Sequence, residues 1–233
     1  MGIIKNIKVI GFDADDTLWV NEPYYREAEN TFAGLLAAYG VRTDVTGELF
    51  KTEIANLELY GYGIKAFMLS LVECAINVTK GSVTSETIRQ IIGIGKDMLN
   101  HPIELLENVK EVLGKLAPYF KLIVATKGDL LDQERKMKRS SISSYFHHIE
   151  VMSDKKEQNY IQLLEHLDID PCQFLMIGNS IKSDIIPPLN LGAWAIHIPY
   201  HTTWAHEEVE EDPLSGQFYR CSSLKEIPDL INR

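Results

Sequence analysis

No stretch of this chain approaches the roughly eighteen uninterrupted apolar residues that a membrane-crossing helix needs, so a membrane span is excluded. Basic charge is also short. The 23 Lys and Arg against 33 Asp and Glu leave a net charge of −10, which excludes the positive footprint of a nucleic-acid binder. A phosphorylated small molecule remains open, because a metal ion and a few lysines can reverse the field locally. Cysteine is scarce: Cys74, Cys172 and Cys221 are far apart, odd in number and free of CxxC pairing. That fits a reducing compartment and offers no zinc signal. Neither an internal repeat nor a low-complexity tract is present, and the first ten residues lack the apolar core of a secretion signal. Cytoplasm is the expected location.

What is present is ordinary in bulk and patterned in detail. At 233 residues, 45% hydrophobic and 24% charged, the chain is long enough for one large domain or two smaller ones. From about Glu22 to Leu99 the apolar residues recur at helical spacing. One stripe runs through Tyr25, Ala28, Phe32, Leu35, Leu36 and Tyr39, and a second through Phe50, Ile54 and Leu57. A third, the clearest, holds Ile64, Phe67, Met68, Leu71, Val72, Ala75 and Ile76. A fourth, around Ile88, Ile91 and Ile92, is weakened by Gly93 and Gly95. Four helices with short connections predict a small antiparallel bundle.

Past His101-Pro102 the texture becomes strand alternating with helix. Helical stretches near Val109–Leu116, Leu130–Lys138 and Tyr160–Leu167 precede apolar runs at Lys121–Ala125, Ile149–Met152 and Phe174–Ile177. Ala195–Ile198 and Phe218–Cys221 follow. Such alternation predicts an α/β fold with a parallel sheet covered on both faces. The first apolar run, Ile7–Phe12, belongs to that sheet by texture. Residues 1–18 and 103–233 are therefore expected to form the core, and 19–102 a helical insertion. The acidic stretch Glu207–Asp212 reads as solvated surface.

The chemistry collects where the apolar runs end. Ile7–Phe12 stops at Asp13-Ala14-Asp15-Asp16-Thr17, three acids within four positions. Carboxylates so crowded need a compensating cation or donor network, and Mg²⁺ held by one or two carboxylates, water and a substrate phosphate is the natural compensation. The second run ends at Thr126, followed by Lys127, and the fourth at Gly178-Asn179-Ser180 with Asp184 beyond. Open parallel sheets bind ligands beyond the carboxyl ends of their strands. The three strand ends would thus deliver Asp13, Asp15, Thr126, Asn179 and Asp184 to one edge. Asp154-Lys155-Lys156-Glu157 adds a cation there, and Asp154 with Glu157 resembles a capping box that starts a helix near Lys155. Carboxylates, a hydroxyl, a lysine and helix starts are the parts of a phosphoryl-transfer site.

In order and spacing these motifs resemble the haloacid dehalogenase-like hydrolase superfamily over nearly the whole chain. Asp13-Ala14-Asp15-Asp16-Thr17 matches its first motif, Thr126 the second, Lys155 (with Lys156 as fallback) the third, and Gly178-Asn179-Ser180-Ile181-Lys182-Ser183-Asp184 the fourth. The resemblance implies a Rossmann-like core with a helical cap inserted after the first motif. It also implies roles: Asp13 as nucleophile, Asp15 as acid and then base, Thr126 and Lys127 on the substrate phosphoryl group, and Lys155 on nucleophile and phosphoryl group alike. Mg²⁺ would be held by Asp13, the Asp15 main-chain carbonyl, Asn179 and Asp184. Asn179 departs from the usual acid, which puts that direct ligand in doubt and places more of the metal on Asp184.

Asp15 selects the branch. A departing halide needs no proton and an alkoxide does, so an acid two residues after the nucleophile favours phosphatase over dehalogenase. The expected function is Mg²⁺-dependent hydrolysis of a small phosphomonoester such as phosphoglycolate or a sugar phosphate. A phosphomutase using the same intermediate and a non-catalytic partner-binding member are the alternatives. No nucleic-acid or membrane partner is expected, and the oligomeric state is open. His197, His201 and His206 have no zinc spacing and read as ordinary loop histidines. Trp19, Asn21, Glu22 and Tyr24 read as a hinge.

Overall fold

The computed structural model describes residues 3–41, 43–207, 209 and 212–232. Six parallel strands form one sheet in the order β3-β2-β1-β4-β5-β6. They are β1 (Val9–Phe12), β2 (Lys121–Lys127), β3 (His148–Met152), β4 (Phe174–Gly178), β5 (Trp194–His197) and β6 (Phe218–Arg220). Strands β1 and β4 are buried along their whole length, as expected when both faces of a parallel sheet are covered. Alternate residues serve opposite faces. Ile10, Phe12, Leu122, Val124, Leu175 and Ile177 join Val112, Leu113 and Leu116 of α5 (Val109–Leu116) in one cluster. Val9, Ile123, Ala125, Phe174 and Met176 join Tyr160, Leu163 and Leu164 of α7 (Glu157–Leu167) in the other.

The remaining helices are α1 (Glu22–Ala37), α2 (Val45–Tyr60), α3 (Ile64–Val78), α4 (Ser85–Asn100), α6 (Leu130–Arg139), α8 (Ile186–Asn190) and α9 (Ile227–Leu230). The architecture is a Rossmann-like α/β core with an all-helical insertion after β1. Among the described residues no helix is long and apolar enough to cross a membrane.

Two compact units result. The core unit comprises Met1–Glu22, Ile103–Lys127 and Gln133–Arg233, taken over its described residues; the helical unit comprises Pro23–Pro102 and Gly128–Asp132. In the helical unit Ala28, Phe32, Leu36, Leu49, Phe67, Leu71, Cys74, Ala75, Ile91 and Ile94 make one apolar cluster. The second stripe is displaced from its sequence position: Leu49 is the buried residue of α2, and Phe50, Ile54 and Leu57 are half-buried. Helix α4 passes through Gly93 and Gly95 without interruption. At Gly95 a β-carbon would fall 2.7 Å from the Met68 sulfur, so this glycine lets α3 and α4 approach closely. Packing outweighs the poor helix propensity there.

Several sequence boundaries move. The strand expected at Ala195–Ile198 is Trp194–His197, the run at Phe218–Cys221 ends at Arg220, and β2 extends through Lys127. Helix α7 starts at Glu157, and the Asp154/Glu157 box does not form. Instead the Lys156 amide donates to Asn159 Oδ1 (3.1 Å), and Asp154 accepts from the Lys155 amide (2.8 Å).

Candidate active site

In this strand order β1 leads to β2 on one side and its neighbour β4 leads to β5 on the other, and the carboxyl end at such a reversal is where open α/β sheets bind ligands. Asp13 stands there. Its amide extends the ladder by donating to the Ile177 carbonyl (2.8 Å), which fixes the side chain just past the last buried residue of β1. Asp13 Oδ1 accepts from Lys155 Nζ at 2.5 Å, and Oδ2 from the Thr17 hydroxyl at 3.2 Å. Lys155 Nζ also donates to Asp184 Oδ1 at 2.6 Å. The second oxygen of Asp184 takes the Ser180 amide at 3.0 Å.

The backbone is shaped around this triad. A β-carbon at Gly178 would fall 2.3 Å from the Asp184 carboxylate, so only glycine at the end of β4 admits that side chain. Ile181–Ile185 forms a π-helical turn, a geometry frequent at functional sites, and Asp184 projects from it.

The three charges are buried together: Lys155 is 2% exposed, Asp184 1% and Asp13 7%. Burial pushes the Asp13 carboxyl above its ordinary range, the Lys155 ammonium opposes that shift, and Asp184 adds to it. Burial also penalises the Lys155 ammonium, but Asp13 and Asp184 outweigh it and hold this lysine above its ordinary range. One cation between two buried acids is a stable arrangement only as a set; removing it leaves uncompensated negative charge. Lys156 does not join the set: its ammonium is exposed and pairs with Asp154 at 2.9 Å.

Asp15 is held by groups that no motif signalled. Its Oδ1 accepts from Trp19 Nε1 (2.6 Å) and Lys136 Nζ (2.9 Å), and its Oδ2 from Gln133 Nε2 (2.9 Å). Lys136 also reaches Asn21 Oδ1 at 3.0 Å. Gln133 and Lys136 lie three apart on α6 and so share a face. Trp19 is fully buried in the core cluster. Asp16, with a left-handed φ of 61°, accepts from the amides of Asn21 (2.9 Å) and Glu22 (2.9 Å). Burial pushes its carboxyl up to about 8, against those amide bonds. It is a structural member of the motif that fastens the start of α1.

Asn179 supplies the test of fit for a metal. The terminal amide atom facing the site lies 3.2 Å from Asp13 Oδ2, 3.2 Å from Thr17 Oγ1 and 3.3 Å from the Asp15 main-chain oxygen. As nitrogen it donates to all three. Turned over, the amide oxygen would join Asp13 Oδ2 and the Asp15 carbonyl in a set of hard donors. These residues fit Mg²⁺. Asp184 fits it less directly, since both its oxygens are engaged by Lys155 and Ser180. Among the described residues no group of three His, Cys, Asp or Glu side chains is arranged to hold a metal ion.

Thr126 is buried at the end of β2, its hydroxyl donating to the Lys127 carbonyl at 3.1 Å. Lys127 Nζ donates to Glu207 Oε1 at 2.5 Å and to Ser183 Oγ at 3.0 Å. Glu207 corrects the sequence reading of residues 207–212 as solvated surface: its side chain is 11% exposed and faces this edge. Residues 208, 210 and 211 of that stretch lie outside the described residues. His197 is also no loop histidine. It is buried at the end of β5, with Nε2 2.9 Å from the Asn179 carbonyl, and it supports the fourth motif from behind. Local spacing carried no signal for Gln133, Lys136 or Glu207, because each reaches the edge from a distant element.

The fold and the comparisons define a hydrolase built on a Rossmann-like core. The family model for haloacid dehalogenase-like hydrolases matches residues 7–192, and the chain belongs to that family. It is 36% identical to a haloacid dehalogenase-like family hydrolase from Xanthomonas campestris, with a TM-score of 0.87 over 96% of this chain and 89% of that one. It is 24% identical to the N-acylneuraminate-9-phosphatase of Rattus norvegicus, over 98% of this chain and 95% of the relative. A 2-haloacid dehalogenase from Pseudomonas syringae shares the fold at 20% identity, with a TM-score of 0.65 and 96% and 97% of the two chains covered.

Proposed function

We propose that this protein is a Mg²⁺-dependent phosphatase that hydrolyses a small phosphomonoester through an aspartyl-phosphate on Asp13. The observation that carries the reading is the pairing of a buried strand-end carboxylate with an ionisable acid two residues on. A carboxylate oxygen of Asp13 attacks: it forms the new bond to phosphorus while the bond to the ester oxygen breaks. Asp15 gives its proton to that departing oxygen. It then takes a proton from water, whose oxygen attacks phosphorus, breaks the acyl-phosphate bond and releases orthophosphate and the Asp13 carboxylate. Lys155 steadies the nucleophile and the transferring charge, and the Thr126 hydroxyl bonds a phosphoryl oxygen. Asp13, the Asp15 carbonyl and Asn179, with Asp184 behind them, would hold Mg²⁺, whose charge offsets that of the phosphoryl oxygens.

Two supports favour an ester over a halide substrate. Asp15 supplies the proton that an alkoxide needs and a halide does not, and the Rattus norvegicus relative is named N-acylneuraminate-9-phosphatase. The helical unit is the proposed cap domain, and the cytoplasm is the proposed site of action. The test is phosphate release from p-nitrophenyl phosphate and from a panel holding N-acylneuraminate 9-phosphate, phosphoglycolate and hexose phosphates. EDTA is expected to abolish release and Mg²⁺ to restore it. Asp13→Asn is expected to lower turnover by at least about 10⁴-fold, as loss of a nucleophile does. Activity retained in that variant rejects the assignment.

A further inference from the structure

We propose that Glu207 is a positioning residue that neutralises Lys127 at the phosphate-binding edge and pins the turn that carries Asp184. The proposal rests on the phosphatase reading. Glu207 lies in a short turn, Ala205–Glu207, beyond β5, in the segment that composition marked as surface. Its carboxylate binds three groups from two other elements. Oε1 accepts from Lys127 Nζ at 2.5 Å, while Oε2 accepts from the hydroxyls of Ser180 and, at 2.5 Å, Ser183. Ser183 accepts in turn from Lys127 at 3.0 Å. Lys182 fastens the neighbouring position by donating to the His206 carbonyl at 2.8 Å.

A carboxylate beside a dianion site is costly unless it has a task. Burial alone would push Glu207 up, but Lys127 and the two hydroxyls hold it down at about 2, so it stays ionised. Two consequences follow. Ser180 caps the start of the π-helical turn and Ser183 lies within it, and Ser180 also accepts from the Ser183 amide at 3.0 Å, so one anion fixes the loop that presents Asp184 to Lys155. Lys127 directly follows Thr126, yet its charge is matched by Glu207 and adds little attraction for phosphate. Retention of the anion is thereby left to Lys155 and the metal, and the product leaves more readily.

The test is calorimetric titration of inorganic phosphate into the Mg²⁺-loaded protein, with melting temperatures taken alongside. Glu207→Gln removes one negative charge and is expected to bind phosphate about tenfold more tightly, or 1.4 kcal/mol. Lys127→Met leaves the acid unmatched and is expected to bind about tenfold more weakly. Lys127→Met/Glu207→Gln removes both charges and is expected to return to wild-type affinity. A purely structural role would weaken binding in Glu207→Gln and weaken it further in the double variant. Unchanged or weaker binding in Glu207→Gln, or a double variant as weak as Lys127→Met, overturns the proposal. If Glu207→Gln does not fold, the charge-balanced double variant decides alone by the same criterion. Wild-type protein that binds no phosphate overturns this proposal and the phosphatase reading together; normal wild-type binding with an unresponsive Glu207→Gln overturns this one only.

Discussion

The carboxyl edge of the sheet and the helical unit are built on opposite principles. At the edge, Asp13, Lys155 and Asp184 are buried charges kept together by one another, and Gly178 is there because nothing larger admits Asp184. In the helical unit, Phe32, Phe67, Leu71 and Ile91 meet as an apolar cluster in which several shapes of side chain would serve. Each charge at the edge depends on a particular partner, whereas each apolar contact depends on volume. Substitution is therefore least forgiving at the carboxyl edge and most forgiving in the helical cluster.

The first way to break this comparison is Lys155→Met. With the cation gone, Asp13 and Asp184 face each other unpaired in a buried site, and a loss of about 3–5 kcal/mol is expected in urea unfolding. Phosphate release is expected to fall by about 10³-fold as well, since charge stabilisation at the reacting centre is lost. Leu71→Ala sharpens the contrast. This fully buried leucine is expected to cost about 2–5 kcal/mol of stability, while turnover of p-nitrophenyl phosphate below the melting transition changes little. Asn179→Asp is the smallest change. The added carboxylate is expected to tighten Mg²⁺ by about tenfold in a metal titration, because a charged oxygen replaces a neutral amide. Weaker Mg²⁺ binding would remove Asn179 from the ligand set.

The sequence made the edge legible to an unusual degree, and for a physical reason. A fully buried parallel strand must be a continuous apolar run, so its carboxyl end is visible as the place where polarity returns. Asp13, Thr126 and Gly178-Asn179 were found that way, and Lys155 by its position before a helix. Glu207 was missed because an acidic stretch looks the same whether it is solvated or folded onto a lysine. Gln133 and Lys136 were missed for a related reason: their spacing on α6 is that of any helix surface, and their partner Asp15 is more than a hundred residues away. Gly93 and Gly95 weakened the signal of a fourth helix that is present. Their propensity argues against a helix, yet Gly95 is what the Met68 side chain requires. Local pattern marks where strands end, but not which distant side chains converge there.

The most direct measurement of the central claim is chemical trapping during turnover. Borohydride reduces an acyl phosphate to an alcohol, so quenching the working enzyme with it and mapping the peptides locates the phosphorylated residue. Homoserine in place of Asp13, dependent on substrate and on Mg²⁺, is the predicted result. Continued phosphate release with residue 13 still aspartate under the same quench would contradict it.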